Sequence, residues 1–246
     1  MSGLPLWVQG CLEWAYPRRC PFCGTVIGFA ARCAPCAKEV QALELAEAVL
    51  DPAQHVFGPL AGAAAVYRYE GRVRRAILHM KYYGCRWYGR DLGCLLAGHL
   101  FGCTFCRKYG IILPECSSVA LDRWDVIVPV PKSGWGRGYN VPELLARPVA
   151  QALGLPVQPD ALRRTRSTRP QASLPREARL TNVAGAFAPA GGCCLAGQRV
   201  LLVDDVITTG ATVAACAEAL RQAGAESVFA IALASSMGNL EAQAVD

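Results

Sequence analysis

The stretch VLLVDDVITTGATV, residues 200–213, joins a short apolar run to two adjacent aspartates and a loop that is rich in threonine. The apolar run predicts a strand buried on both faces of a parallel sheet, with Asp204 and Asp205 at its carboxyl end. The loop that follows opens a helix and contains Thr208, Thr209, Gly210, Ala211 and Thr212. Its backbone N–H groups, its hydroxyls and the positive end of the helix dipole predict a cradle for one monophosphate.

The two aspartates indicate which chemical groups of a ligand lie beside that phosphate. A carboxylate repels a phosphate, so Asp204 and Asp205 favour neighbouring hydroxyl groups or a bound Mg²⁺ as partners. A ribose that carries a 5-phosphate would satisfy both halves of the stretch. The alternative is an ordinary strand-to-helix turn with a threonine N-cap, but adjacent buried aspartates cost desolvation free energy unless a ligand uses them. The loop lacks the GxxxxGK[ST] pattern, which weakens an ATPase interpretation.

On both sides of this stretch the chain alternates between strand and helix patterns, which predicts a parallel sheet flanked by helices. The expected strands lie at 61–71 (with a hairpin), 125–130, 199–205 and 227–234. The expected helices lie at 41–50, 73–82, 91–101, 140–153 (ended by Gly154) and after the threonine loop. Residues 102–124 follow no pattern that assigns them, and residues 162–182 predict a long basic loop.

Four cysteines near the N-terminus form two CxxC pairs separated by nine residues: Cys20, Cys23, Cys33 and Cys36. Four thiolates suit tetrahedral Zn²⁺, and the short segment has little room for a hydrophobic core of its own. We expect a structural zinc ribbon, since closed four-sulfur coordination leaves no open position for catalysis. A redox dithiol is the competing interpretation of a CxxC pair, although two pairs so close together favour zinc.

A second set of cysteines has irregular spacing: Cys94, Cys103, Cys106 and Cys116. These residues could bind another metal ion or could be free thiols. The chain has 13 cysteines in 246 residues, which is too large a chain for a disulfide scaffold. Cysteine usage of this kind favours a reducing compartment.

Composition limits the class of protein further. Hydrophobic residues make up 53% of the chain, which excludes disorder over most of its length, and no run of 18 apolar residues is free of interruption. The first residues lack the charge order of a secretory signal, so we expect a soluble cytoplasmic protein. The net charge of +6 suits an anionic ligand. A change in composition predicts an N-terminal zinc-ribbon region at 1–50 and a larger domain at 51–246.

The stretch LLVDDVITTGAT resembles the phosphoribosyl pyrophosphate (PRPP) signature of type I phosphoribosyltransferases. The whole chain is similar to the ComF family of phosphoribosyltransferase-like proteins, and the matching motifs run in order along it. They are RCPFCG and CAPC, LHMKYYG at 78–84, DVIVPVPKSGWGRGYN at 125–140 and RPQASLPREARLTNVAGAF at 169–187. This resemblance implies a type I phosphoribosyltransferase fold with an N-terminal zinc ribbon.

The resemblance also implies roles for residues outside the threonine loop. The segment 129–140 corresponds to a pyrophosphate-binding loop, in which Lys132, Gly138 and the candidate catalytic residue Arg137 would act with Asp204 and Asp205. Lys81 would contact a phosphate, although a helix lysine that extends its amine to solvent is an open alternative. A mobile hood over the sugar diphosphate would contain Gln171, Arg179 and Asn182. Solvated basic loops remain the alternative for both segments.

The function that the resemblance implies is transfer of phosphoribosyl from PRPP, with Mg²⁺, to an unidentified acceptor with release of pyrophosphate. The family is associated with DNA uptake and use of imported DNA, alongside a helicase-like partner. The alternative is a non-catalytic protein of the competence machinery that senses PRPP or binds single-stranded DNA. Nothing in the sequence identifies a purine or pyrimidine contact, so the acceptor stays open.

Overall fold

The computed structural model describes residues 17–27, 30–108, 111–115, 123–132, 138–166, 183 and 185–236. The helices are α1 (Ala34–Gln41), α2 (Gly71–Tyr82), α3 (Tyr88–Phe101), α4 (Val141–Leu153) and α5 (Ala211–Gln222). The strands are β1 (Gly62–Arg68), β2 (Thr104–Lys108), β3 (Ile111–Glu115), β4 (Val126–Pro129), β5 (Leu162–Arg164), β6 (Phe187–Pro189), β7 (Arg199–Ile207) and β8 (Ser227–Ser235).

The centre of the fold is a four-stranded parallel sheet with the order β1-β8-β7-β4. Leu202 of β7 lies opposite Ala230 of β8, and Ala230 in turn lies opposite Ala63 of β1. The predicted α/β architecture is therefore confirmed. Because all four strands are parallel, their carboxyl ends meet at one edge, which is where an α/β sheet places its ligands.

Alternate residues of β7 face opposite sides of the sheet, as the period of a strand requires. Leu201 and Val203 belong to a core that contains α2, α3 and α4. Val200 and Leu202 belong to a second core that contains α5 and the antiparallel strand pair β5–β6. Burial on both faces explains why the strand is an unbroken apolar run.

Helices α3 and α4 pack closely because α3 contributes glycines at the contact. A Cβ atom on Gly93 would lie 2.7 Å from the carbonyl oxygen of Leu145, and one on Gly89 would lie 2.5 Å from Cβ of Leu144. Helix α4 ends as predicted at Gly154, which adopts the left-handed conformation with φ +67°.

The helix predicted at 41–50 is wrong. Helix α1 ends at Gln41, and the chain then runs antiparallel to β1, with bridges from Glu44 to Tyr67 and from Val49 to Ala64. The free edge of β1 offers backbone donors and acceptors to this segment, and the N–H of Leu45 donates to Val66 O at 2.9 Å. Pairing with an open sheet edge outweighs a weak helix pattern of ten residues.

Two other regions differ from the prediction. The strand at 61–71 is confirmed, but the hairpin is wrong, since β1 leads directly into α2 at Gly71. The unassigned segment 102–124 contains the antiparallel pair β2–β3, in which Phe105 lies opposite Pro114. The basic segment at 162–182 begins with β5, and its residues from 167 onward lie outside the described part of the chain.

The cysteine-rich N-terminal segment packs on the same core as α2 and α3. Cys20, Phe22 and Cys36 are buried members of that core. Arg18 forms an ion pair with the buried carboxylate of Asp91 on α3. A domain boundary at residue 50 stays a prediction. None of the helices in the described ranges combines the length and the apolar composition that a bilayer crossing requires.

Candidate functional site

The threonine loop lies where β7 ends, at the carboxyl edge of the sheet. Gly210 adopts φ +84° directly before α5, a conformation that few residues other than glycine adopt without strain. Thr209 is only 3% exposed, and its Oγ1 accepts a hydrogen bond from the N–H of Ala211 at 3.4 Å. The loop therefore has the strand–turn–helix geometry expected of an anion cradle, with the helix N-terminus behind it.

The segment before β1 supports this loop from outside. The N–H of Val56 donates to Thr209 O at 2.8 Å, and a Cβ atom on Gly210 would lie 2.5 Å from Val56 O. His55 stacks on Phe57 with ring centroids 5.3 Å apart, which holds the segment in place. The sequence pattern places residues 51–59 only at the start of the larger domain, and no signal in that segment indicates a contact with residues 209–210.

Asp204 and Asp205 are buried side by side at the end of β7, with 7% and 4% of their surfaces exposed. The N–H of Asp205 donates to Oδ1 of Asp204 at 2.8 Å. Successive strand residues face opposite sides of a sheet, so the two carboxylates lie on different faces of the same edge. The structure thus brings the predicted carboxylates and the predicted loop together.

Lys81 comes from the last turn of α2 and lies against Asp205. Its Nζ donates to both carboxylate oxygens, at 2.8 Å from Oδ1 and 2.7 Å from Oδ2. Burial alone would lower the pKa of Lys81, but the charge and hydrogen bonds of Asp205 outweigh burial and raise it. The sequence motif predicted a site role for Lys81, and the structure places its amine in the site as a partner of Asp205.

The pKa of Asp204 is raised to about 7, first by burial and then by the neighbouring charge of Asp205. Lys81 opposes this shift. A carboxyl group with such a pKa is partly protonated at neutral pH. A ligand that donates hydroxyl protons to it, or a cation beside it, would favour its ionised form.

Arg164 lies on the α5 side of the sheet, near Asp204. Its guanidinium is 4.6 Å from the ring centroid of Phe187. Burial lowers the pKa of Arg164, while Cys216 and Asp204 act in the opposite direction. Sequence reasoning counted Arg164 among the arginines of a basic loop, whereas its position on β5 places it near Asp204.

The segment after β4 approaches the same edge, because the N–H of Val130 donates to Val203 O at 2.9 Å. Lys132 and Gly138 are both exposed at this edge. Asn140 Nδ2 donates to Val130 O at 2.9 Å, and Asn140 Oδ1 is buried with no hydrogen-bond partner among the described residues.

A hydrogen bond links this segment to the helix that contains Lys81. Tyr139 donates from its hydroxyl to Met80 O at 2.5 Å. The start of α4 and the end of α2 are thereby fixed next to each other. The remaining predicted site residues lie outside the described residues: Arg137, Gln171, Arg179 and Asn182.

The four N-terminal cysteines converge. The sulfur atoms of Cys20, Cys23, Cys33 and Cys36 all lie within 4.8 Å of one another, and Sγ of Cys23 is 3.5 Å from Sγ of Cys33. Tetrahedral zinc with Zn–S bonds of about 2.3 Å requires sulfur–sulfur distances of about 3.8 Å. The four-cysteine cluster therefore fits a structural zinc ion.

Hydrogen bonds favour the metal-binding thiolate form at Cys23, whereas burial and then hydrogen bonds with Cys33 and Cys23 raise the pKa of Cys36. Burial alone would raise the pKa of Cys23, but hydrogen bonds with Thr25 and with the neighbouring cysteines lower it to about 6. No second group of three metal-ligating side chains occurs among the described residues. The side chain of Cys106 and all of Cys116 lie outside that part, so a second metal site stays a prediction.

Comparison with known proteins defines the class. A family model described as "Phosphoribosyl transferase domain" matches residues 117–244, more than half of the chain. The chain belongs to the phosphoribosyl transferase domain family. The match begins before β4 and includes the aspartate pair and the threonine loop.

Three curated proteins are similar to parts of this chain. The chain is 37% identical to the DNA utilization protein YhgH of Salmonella typhimurium over 120 residues, covering 48% of this chain and 52% of that protein. It is 32% identical to Competence protein F of Haemophilus influenzae over 156 residues, covering 62% and 63%. It is 40% identical to an adenine phosphoribosyltransferase of Kineococcus radiotolerans over 85 residues, covering 35% and 44%.

The chain spans about half the length of the curated YhgH proteins that it matches. Two of the relatives bear the names of a competence protein and a DNA utilization protein, which confirms the predicted resemblance to the ComF family.

Proposed function

We propose that this protein acts in the cytoplasm, binds PRPP with Mg²⁺ and transfers phosphoribosyl to an acceptor, in the context of DNA uptake or utilisation. One observation carries the proposal: two buried aspartates and a threonine–glycine loop meet at the carboxyl edge of a parallel sheet. An ordinary strand-to-helix turn does not require two buried carboxylates. Burial raises the pKa of Asp204, which means that keeping this carboxyl group charged costs free energy.

The two halves of the site suit the two halves of a ribose 5-phosphate. In the proposal, backbone N–H groups and hydroxyls of residues 208–212 bind the 5-phosphate, and the start of α5 directs its dipole at that phosphate. Asp204 and Asp205 accept hydrogen bonds from the ribose hydroxyls. The phosphate lies on the loop and away from the carboxylates, so like charges do not meet.

Cations beside the aspartates suit the diphosphate. Lys81 lies at the edge of the site, and Arg164 lies on the opposite face of the sheet. We propose that Arg137 and Lys132 stabilise the pyrophosphate as it leaves. Mg²⁺ that accompanies PRPP would neutralise part of the diphosphate charge.

The proposed reaction breaks the bond between the anomeric carbon of ribose and the pyrophosphate oxygen. The acceptor supplies the electron pair for the new bond at the anomeric carbon, and pyrophosphate leaves with the electrons of the old one. The chain contributes position and charge stabilisation rather than a covalent intermediate.

A second candidate is a non-catalytic sensor of PRPP. The contact between Lys81 and Asp205 favours it, because both oxygens of that carboxylate are hydrogen-bonded to the amine. PRPP would have to displace or share this contact, and a site of this kind can bind a ligand without turning it over. The two candidates differ in whether pyrophosphate is released.

The test is pyrophosphate release from PRPP and Mg²⁺ with a pooled panel of nucleobases, ammonia and glutamine. We expect release by the parent chain and none by Asp204→Asn/Asp205→Asn. Asp160→Asn is the matched control, because Asp160 is exposed and lies far along the chain from the aspartate pair. Division of the active pool identifies the acceptor.

Thermal denaturation with PRPP separates the remaining outcomes. An increase in Tm with PRPP but no release supports the sensor and contradicts the transferase. Neither release nor an increase in Tm contradicts both. Equal release by the double variant and the parent would show that the aspartate pair is not the site.

A further inference from the structure

The four-cysteine cluster consists of two buried and two accessible sulfur atoms. Cys20 and Cys36 are 0% and 1% exposed and belong to the core that contains α2 and α3. Cys23 and Cys33 pack against that core but are partly exposed to solvent. We call Cys20 and Cys36 the inner pair, and Cys23 and Cys33 the outer pair. A small molecule in solution therefore reaches the outer pair more readily than the inner one.

The two outer sulfur atoms lie close to each other. Sγ of Cys23 is 3.5 Å from Sγ of Cys33. The sulfur atoms of a disulfide are about 2.05 Å apart, so these two need to approach by only about 1.5 Å to form one. Each outer cysteine belongs to a different CxxC pair. A bond between them would therefore join the two halves of the ribbon, as a shared metal ion does.

Backbone hydrogen bonds hold both outer cysteines in position. The N–H of Gly24 donates to Cys20 O at 2.8 Å, which closes the turn that contains Cys23. Cys33 is the N-cap residue of α1, and its carbonyl oxygen accepts a hydrogen bond from the N–H of Ala37 at 2.9 Å. The chain's own hydrogen bonds thus keep the two outer sulfur atoms near each other.

The inner pair is held by the packing of the core. Cys20 and Cys36 lie in one cluster of buried residues with Phe22 and with Ile77 and Met80 of α2. Protein interiors are close-packed, so a displacement of an inner sulfur atom disturbs many contacts. The outer sulfur atoms face solvent on one side and can move with less disturbance. A disulfide within the cluster is therefore expected between the outer two cysteines.

We propose that the outer pair is an oxidation site, at which a peroxide converts the zinc-binding cluster into a Cys23–Cys33 disulfide. One outer thiolate attacks hydrogen peroxide, the O–O bond breaks, and a sulfenic acid and hydroxide form. The second outer thiolate attacks the sulfenic sulfur, which forms the S–S bond and releases a second hydroxide. The two thiolates lose two electrons in total, and both oxygen atoms of the peroxide leave as hydroxide.

This reaction removes two of the four zinc ligands. Only the inner sulfur atoms remain as thiolates, and a structural zinc ion requires four ligands. Glu39 of α1 forms an ion pair with Arg72 of α2, so a change in the ribbon reaches the first helix of the α/β fold. The proposal rests on zinc binding by the cluster, and it uses neither the threonine loop nor the aspartate pair. Its outcome is independent of PRPP binding and turnover.

The primary test treats the reduced, zinc-loaded full chain with hydrogen peroxide and follows released zinc with a chromogenic chelator. We expect release of one zinc ion for each disulfide that forms. Mass spectrometry of a non-reducing digest should identify that disulfide as Cys23–Cys33. Dithiothreitol followed by added zinc should restore the zinc content, because a disulfide is reversible and a sulfinic acid is not.

Histidine variants separate disulfide formation from metal binding. Three cysteines and one histidine also bind zinc tetrahedrally, so Cys33→His should keep one zinc ion per chain. This variant lacks the second outer sulfur atom, and we expect peroxide to release its zinc about tenfold more slowly. Cys23→His should behave in the same way. The control is Cys193→Ser/Cys194→Ser, which removes two adjacent cysteines outside the cluster and should keep the parental rate.

Thermal denaturation measures the effect of oxidation on the shared core. We expect the Tm of the oxidised chain to fall below that of the zinc-loaded chain, because a structural metal contributes to folding. Its Tm should stay above that of Cys33→Ser, which has neither the metal ion nor the disulfide that constrains the unfolded chain.

Three results with the parent chain would overturn the proposal. They are zinc retained while Cys193 and Cys194 are oxidised, a disulfide within one CxxC pair in place of Cys23–Cys33, and zinc release that dithiothreitol and zinc do not reverse. A parental rate of zinc release in both histidine variants would contradict it as well. A reduced chain that binds no zinc would remove its basis. If neither histidine variant retains zinc, the disulfide map of the parent decides.

Discussion

At the scale of single residues, the site is a balance of buried charges. The carboxylate of Asp205 is almost fully buried and is neutralised by Lys81, while Asp204 lies beside it with a raised pKa. Buried carboxylates of this kind are costly to the free protein. The cost is expected where a fold keeps charges for a ligand instead of for its own stability.

Replacing Lys81 with methionine should destabilise the protein because it leaves a buried carboxylate unpaired. We expect Lys81→Met to lower the free energy of unfolding by about 3 kcal/mol. Asp205→Asn in the same chain should restore most of the loss. Chemical denaturation measures both, with Arg147→Met as the control, since it breaks an exposed pair with Glu143 that is worth about 0.3–0.5 kcal/mol. Equal losses in the single and double variants would contradict a charge effect.

The raised pKa of Asp204 predicts a dependence of stability on pH. The folded pKa of about 7 exceeds the ordinary value near 4, so the folded state binds a proton more tightly than the unfolded state. The free energy of unfolding should therefore fall as pH rises from about 4 to about 7. The charged groups that face Asp204 are Asp205, Lys81 and Arg164, and Cys216 lies near it.

Asp204→Asn removes this titration. We expect the variant to be more stable than the parent at pH 8, to differ little at pH 5, and to release no pyrophosphate. Tm measured across this pH range in several buffers provides the test. A parent and variant that lose stability in parallel between pH 5 and pH 8 would show that another group is responsible.

At the scale of elements, the threonine loop depends on a contact between distant segments. Gly210 has a positive φ, and the backbone of Val56 occupies the space that a Cβ atom would need. The loop and the segment before β1 therefore form one unit. The loop's shape is set by this contact as well as by its own sequence.

Gly210→Ala should disrupt that unit. Both the left-handed backbone and the clash with Val56 O oppose the new methyl group, so we expect a loss well above 1 kcal/mol and loss of PRPP binding. Gly102→Ala is the matched control, because Gly102 has φ +65° with no atom within 4 Å of the new Cβ. It should cost about 1 kcal/mol and leave ligand binding unchanged. Equal losses in both variants would mean that the contact with Val56 is unimportant.

The sequence allowed prediction of those parts of the site that are contiguous in the chain. Strand, aspartates, loop and helix lie together in residues 200–213, and their apolar and turn patterns are local. Lys81 and Asp205 are separated by 124 positions, and no periodicity encodes a contact of that kind. The error at 41–50 has the same origin, since the partner of that segment is the edge of β1 and not its own helix.

At the scale of the whole molecule, the four-cysteine cluster and the sheet share one core. Cys20 and Cys36 are buried with residues of α2, α3 and β8. Arg18 joins the cluster to α3 through Asp91. Loss of the metal should therefore destabilise the shared core as well as the ribbon.

Removing one zinc ligand tests this coupling. We expect Cys33→Ser to reduce zinc from one ion per chain to almost none and to lower Tm by about 5–10 °C, because a structural metal contributes to folding. Cys194→Ser is the control, since Cys194 is exposed and lies outside the cluster. A parent chain with two zinc ions would point to a second site, and an unchanged Tm in Cys33→Ser would show that the ribbon folds independently.

The strand order also governs how the chain is made. β1 pairs with β8, and about 160 residues separate the end of one from the start of the other. At about 5–20 residues per second, a ribosome needs on the order of 10 s to synthesise that interval. Through this time the nascent chain presents β1 and the core around Cys20 and Cys36 without the strand that covers them. Synthesis of this protein therefore includes a period in which zinc supply and protection from aggregation decide the yield.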